Sequence, residues 1–137
     1  MRWPLMQSNN ITRQDRLAAS NFFLEGGESD LSDCRLTQGP QVAAFEREFA
    51  DWLGVKYAVM VNSGASANLI TMHALKELHG AGEVLVPCIT WSSDIMSVIH
   101  AGFYPVFVDV DPFTLGMDLQ QLLQKKSATT RAVFITH

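Results

Sequence analysis

The chain has 137 residues, 47% of them hydrophobic and 18% charged, enough for one ordinary domain with a real core and too apolar for a disordered polypeptide. A net charge of −4 without a basic cluster gives no electrostatic reason to expect nucleic acid or an anionic membrane as a partner, and the adjacent Lys125 and Lys126 read as the solvated end of a helix. No apolar stretch reaches transmembrane length and Met1-Arg2-Trp3-Pro4 opens no signal-peptide pattern, so a cytoplasmic protein is expected. Isolated Cys34 and Cys88 suggest neither a disulfide framework nor a metal site.

Residues 1–10 carry no period and read as an arm. A helix follows from Ile11, with Thr12 as N-cap and Asp15 where a capping box would place Glu, and Gly26-Gly27 stops it. From Glu28 to Pro40 the chain is polar and irregular, a loop that is either a connector or a carrier of function. Pro40 suits a helix start, and Val42, Phe45, Phe49 and Trp52 follow at steps of three and four until Gly54 ends the pattern.

Next comes the stretch around which the chain is organised. Tyr57–Val61 reads as a buried strand, Asn62–Asn68 as a turn of small residues, and Leu69, Ile70, His73, Ala74 and Leu78 as a helix. Gly64 would let the backbone approach a ligand closely, and the first N–H groups of the helix have no intrahelical partner. Unpaired donors at a positive helix end make an anion site, with a phosphate held by the amides of Ala65 and Ser66 and the hydroxyl of Ser63 or Ser66. The alternative is a plain turn in which Ser63 only caps the helix.

Further strands are expected at Glu83–Val86, Pro105–Val110 and Arg131–His137. Between them lie a helix carrying Ile95, Val98, Ile99 and Ala101, ended by Gly102, and a short helix capped by Asp118. Strands alternating with helices in units of this length predict right-handed crossovers and a parallel sheet, hence an α/β three-layer sandwich with Tyr57–Val61 inside the sheet and helices on both faces. Ligands gather at the carboxyl ends of such strands, where Ser63–Ser66, Thr90–Asp94, Asp109–Asp111 and His137 would lie. Of these, Asp109, Asp111 and His137 are the weaker candidates, since strand-end residues of this kind more often cap or face solvent.

The sequence contains neither a Gly-x-Gly-x-x-Gly turn nor a Walker-type Gly-Lys-Ser/Thr, which excludes the two commonest phosphate-binding motifs. What remains is one phosphate-sized anion site near a flat aromatic, Trp91, a pair that suits a phosphorylated aromatic cofactor. Trp91 could equally be an ordinary half-buried aromatic.

Taken together, Leu36-Thr37-Gln38-Gly39-Pro40, Phe45-Glu46, Leu53-Gly54-Val55-Lys56-Tyr57, Asn62 to Leu69, Val86-Pro87-x-x-Thr90-Trp91-x-Ser93 and Pro105 to Asp111 resemble the DegT/DnrJ/EryC1/StrS family in order and spacing. The resemblance runs from about residue 35 onward. It implies the large domain of a fold type I pyridoxal-phosphate-dependent transferase, present in part, with residues 1–35 as arm and helix and 36–137 as the incomplete start of the cofactor-binding domain. It implies pyridoxal 5′-phosphate held by Gly64, Ala65 and Ser66 with Trp91 on its ring. Thr37, Gln38 and Gly39 would sit near a nucleotide-linked keto sugar, in a site completed across a homodimer, with glutamate as the amino donor. The implied reaction is transamination, or 3-dehydration in the branch of the family that uses His instead of Lys. Either residue would fall beyond His137, so the chain reads as an amino-terminal fragment that is inactive alone; the alternative is a non-catalytic truncated fragment that binds a partner through its exposed sheet edge. The four lysines present, Lys56, Lys76, Lys125 and Lys126, read as lying away from the strand-end rim.

Overall fold

A computed structural model describes residues 11–25 and 37–136, which fall into two compact units, one up to Met60 and one from Val61. The expected stop at Gly26-Gly27, most of the 28–40 loop and His137 lie outside the described residues.

In the first unit, α1 spans Arg13–Glu25 and α2 spans Pro40–Leu53. The capping box at the start of α1 forms with Asp in place of Glu: the Asp15 N–H donates to the Thr12 hydroxyl at 3.2 Å, and the Thr12 N–H donates back to the Asp15 carboxylate at 2.7 Å. The Thr12 hydroxyl, which also donates to that carboxylate at 2.7 Å, and then the Thr12 N–H hold the Asp15 carboxyl below its ordinary pKa. Pro40 opens α2 and Gly54 closes it in the left-handed region at φ 74°. The N–H groups of Gly54 and Val55 donate to the carbonyls of Asp51 and Ala50, a pattern that satisfies carbonyls a helix end would otherwise leave without partners. Phe45, Phe49 and Trp52 stack along one side of α2, with successive ring centroids 5.7 and 5.5 Å apart.

The second unit carries the sheet. Helix α3 spans Gly64–His79, β1 Glu83–Pro87, α4 Ser92–His100, β2 Tyr104–Val108, α5 Leu119–Lys125 and β3 Thr130–Val133. The strands lie in the order β2-β1-β3, all parallel, with Leu85 opposite Val106 on one side and Val133 on the other. This is the α/β architecture with a parallel sheet that the strand and helix alternation predicts. β1 is the central strand, and its Val84, Leu85 and Val86 are fully buried. Val84 and Val86 share one face by the two-residue period of a strand and join Met72 of α3, Val98 of α4, Ala101 and Phe103 in the core.

One expected strand is absent. Tyr57–Val61 belongs to no strand, and Tyr57 and Val59 are 74% and 77% exposed. A strand exists only through a neighbour's backbone, and each pairing in the sheet is made by β1, β2 and β3 among themselves. The β propensity of Val and Tyr was therefore necessary for that expectation but not sufficient.

Gly82 sets how β1 meets β3. A Cβ there would run into the Thr129 carbonyl oxygen and the Arg131 Cγ, and that same carbonyl accepts the Glu83 N–H at 2.9 Å. Gly82→Ala is expected to push Thr129 away, loosen the start of the β1–β3 ladder and cost about 1–3 kcal/mol. Urea unfolding checks this, and a loss under about 0.5 kcal/mol would show that the ladder gives way freely there.

Candidate functional site

At the start of α3, Ser63 is in extended backbone and its hydroxyl accepts the Ser66 N–H at 3.2 Å, so the capping role is real. The Ala67 N–H donates to the Ser63 carbonyl, and the Ser66 hydroxyl is turned back onto the Asn62 side-chain oxygen at 2.6 Å. Among the described hydrogen bonds, the N–H groups of Gly64 and Ala65 have no acceptor. These orphan donors of the helix start therefore remain available. No acidic residue sits in the first turn of α3, so its positive end is not neutralised locally. A Cβ built on Gly64 meets nothing within 4 Å, which leaves open space in front of the turn.

The start of α4 is built the opposite way. Trp91 is the N-cap residue of α4, 72% exposed and without a side-chain cap bond. The first turn of α4 contains Asp94, 7% exposed, whose carboxylate supplies the negative charge that α3 lacks. Its Oδ1 accepts from the Asn68 side-chain amide of α3 at 2.8 Å, and its Oδ2 accepts from the Thr90 hydroxyl at 2.6 Å. Thr90 Oγ1 is also 2.6 Å from Thr136 Oγ1. Since the one Thr90 hydrogen is committed to the carboxylate, the Thr136 hydroxyl is the donor in that pair. A single chain of bonds thus ties α3, the segment after β1, the first turn of α4 and the segment after β3. Hydrogen bonds to a charged group contribute about 1.5–3 kcal/mol each, so the link is substantial. Ser66 and Ser93 line a groove of about 210 Å³ between α3 and α4, together with Leu69, Met96 and His100.

The remaining strand-end candidates behave as local caps. The Asp111 carboxylate accepts the N–H groups of Thr114 and Phe113, which hold its pKa below the ordinary carboxylate value, and Asp109 accepts the N–H of Val110. In the first unit, Thr37 and Gln38 are exposed and Gly39 is buried as the N-cap residue of α2. Gln38 holds φ at 52°, a left-handed conformation uncommon for a residue other than glycine. Of the lysines, Lys125 Nζ donates to the Phe107 carbonyl and Lys56 lies 5.0 Å from the centre of the Tyr57 ring. No group of three or more metal-ligating side chains occurs among the described residues, and none of their helices is long and apolar enough to cross a membrane.

The helix start at Gly64–Ser66 and the Thr90–Asp94 segment after β1 were readable from the sequence, although no described strand leads into the first. The side-chain link between them was not: Asn68 and Asp94 are 26 residues apart, and no spacing rule pairs them.

The model of the DegT/DnrJ/EryC1/StrS aminotransferase family matches residues 25–137. The chain is 39% identical over 102 residues to the spore coat polysaccharide biosynthesis protein SpsC of Bacillus subtilis, covering 74% of this chain and 26% of that protein. It is 33% identical over 128 residues to the GDP-perosamine synthase of Caulobacter vibrioides, covering 89% and 34%. The solved sugar aminotransferase of Micromonospora echinospora superposes with a TM-score of 0.73 at 29% identity, over 91% of this chain and 32% of that one. The chain spans about a quarter to a third of the length of the curated relatives it matches. It belongs to the DegT/DnrJ/EryC1/StrS aminotransferase family.

Proposed function

We propose that this chain contributes part of the cofactor site of an enzyme that uses pyridoxal 5′-phosphate to transfer an amino group onto a nucleotide-linked keto sugar. The observation that carries the reading is the open start of α3: free N–H groups at Gly64 and Ala65, no acidic residue in its first turn and open space beside Gly64. In this reading those two N–H groups take the cofactor phosphate as an anion at a helix start. The Ser66 N–H, engaged by Ser63, would join them only if the cap opened. Trp91, exposed at the end of the neighbouring segment, offers its indole face to the pyridine ring. When bound, the cofactor supplies the electron sink that amino-group transfer requires. Thr37, Gln38 and Gly39 are assigned to the sugar-nucleotide substrate and glutamate to the amino donor. We place residues 36–137 at the start of the cofactor-binding domain, after an arm and helix in 1–35, and take the working enzyme to be a cytoplasmic homodimer.

A second reading keeps the cofactor and makes the reaction a 3-dehydration. It is favoured by 36% identity over 102 residues to the GDP-4-keto-6-deoxy-D-mannose 3-dehydratase of Yersinia pseudotuberculosis. A solved GDP-4-keto-6-deoxymannose-3-dehydratase carrying a trapped PLP–glutamate adduct also superposes with a TM-score of 0.73 at 31% identity, over 91% of this chain and 32% of that one.

Both readings make the same forecast for the 137-residue chain. Covalent use of the cofactor needs an activated amine, and the described lysine contacts engage Lys56 and Lys125 elsewhere, while Lys76 sits in the last turn of α3 beside Gly102. The chain with glutamate and a GDP- or dTDP-linked 4-keto sugar is expected to give no aminated or dehydrated product, and borohydride treatment no specific lysine adduct. A stoichiometric adduct on Lys56 or Lys76 with turnover would overturn the assignment.

A further inference from the structure

Among the described residues Asp94 is the one buried ionisable side chain, and nothing in the proposed chemistry uses it. Its position is informative. One carboxylate oxygen is bonded to Asn68, four residues into α3 from the open turn at Gly64, and the other to Thr90, the residue immediately before Trp91. The two halves of the proposed site therefore meet at a single carboxylate: the phosphate-facing turn on one side and the ring-facing indole on the other.

We infer that Asp94 is a positioning residue that sets Trp91 at a fixed separation from the start of α3, so that a ring and a phosphate joined in one molecule are held at once. The inference rests on the cofactor reading above. Burial makes the carboxylate selective about its partners, because an acceptor removed from water and left unsatisfied is costly. Asn68 and Thr90 satisfy it from opposite sides, and Thr136 fixes the Thr90 hydroxyl from a third. Ser97 donates to the Asp94 backbone carbonyl at 2.7 Å, which holds the first turn of α4 itself. Trp91, largely exposed, has no cap bond of its own and takes its place from Thr90.

The polarity of the chain separates two substitutions. In Asp94→Asn the new amide oxygen can still accept from Asn68 and the new amide nitrogen can donate to Thr90, which then donates to Thr136. The relay runs backwards and the geometry survives. In Asp94→Leu, Asn68 and Thr90 both lose their acceptor, and Trp91 is released from α3 even if the helices stay formed.

The experiment uses the 137-residue chain with Trp3→Phe and Trp52→Phe, leaving Trp91 as sole tryptophan emitter. Pyridoxamine 5′-phosphate is the probe, since its amine forms no adducts with surface lysines, and inorganic phosphate is titrated separately as its competitor. Phosphate affinity reports the α3 turn alone, whereas quenching of Trp91 by the probe reports the turn and the indole together. Asp94→Leu and Thr90→Val are each expected to weaken probe binding about tenfold while phosphate affinity changes less than about twofold, and Asp94→Asn is expected to stay within about threefold for both ligands. A purely structural role would lower both affinities together. Equal probe affinity in Asp94→Leu, Thr90→Val and the parent would overturn the positioning role and leave the cofactor reading standing. Absence of any quenching in the parent chain would remove both. If Asp94→Leu does not fold, Thr90→Val decides, because it leaves the Asn68–Asp94 bond in place.

Discussion

Phe103→Ala is expected to cost about 3–5 kcal/mol, enough to unfold much of the chain at 37 °C given the 5–15 kcal/mol typical of whole domains. Phe103 is 4% exposed and sits with Met72, Val84, Val86, Val98 and Ala101 in the core of the second unit. It is also the second residue past Ala101, the C-cap of α4. Its N–H donates to the Val98 carbonyl at 3.0 Å, and Gly102, at φ 81°, donates to Ile99 at 2.9 Å. This is the helix stop in which a left-handed glycine is followed by an apolar residue folded back onto the last turn. The ring is thus held by the end of α4 and by the central strand at once, leaving little room for the site to collapse when the ring is removed. Phe113, 94% exposed, is the control: its replacement by Ala should change stability by less than about 0.5 kcal/mol. Urea unfolding followed by far-UV circular dichroism reads both. A Phe103→Ala loss below about 1 kcal/mol would mean that the cluster does not act as one packed core.

The same helix stop shows why many of the helix ends could be read from the chain. Gly102 and Gly54 mark helix ends because only glycine takes the left-handed turn cheaply, and Thr12, Pro40 and Asp118 mark starts because their side chains or ring suit the first turn. These are local causes, written in two or three adjacent residues. The parallel sheet was legible for a related reason, since an alternation of strand and helix at this spacing admits few other topologies. Two things were not legible. Tyr57–Val61 has the composition of a buried strand, yet pairing is decided by residues far away in sequence, and no described strand takes it as a neighbour. The Asn68–Asp94–Thr90–Thr136 link depends on how α3 and α4 pack, a property of the folded core with no counterpart in spacing. Sequence therefore located the two turns of the proposed site but not what ties them.

Gly64→Val is expected to abolish most anion binding at the start of α3 while leaving the fold intact, and the two halves of that statement have separate causes. In the protein itself a Cβ at Gly64 meets nothing within 4 Å, and its φ is not positive, so the valine faces no clash and no backbone strain. Glycine is also the poorer helix former, so stability should rise or fall by less than about 0.5 kcal/mol. Toward a ligand the effect reverses. The branched side chain would occupy the open space in front of the free N–H groups of Gly64 and Ala65, and an anion pushed out of hydrogen-bond reach loses charge-assisted bonds that contribute about 1.5–3 kcal/mol each. Loss of even one such bond corresponds to a tenfold or greater fall in affinity, by the relation of about 1.4 kcal/mol per factor of ten. Ser63→Ala offers the contrast: it removes the cap bond to Ser66 and should cost about 1 kcal/mol of stability. Titration with inorganic phosphate and with pyridoxamine 5′-phosphate, beside urea unfolding of each variant, separates the two effects. A Gly64→Val chain that unfolds at the parent's urea midpoint and still binds both ligands with the parent's affinity would show that the anion does not sit at this turn, and Ser63 would then be a helix cap and nothing more.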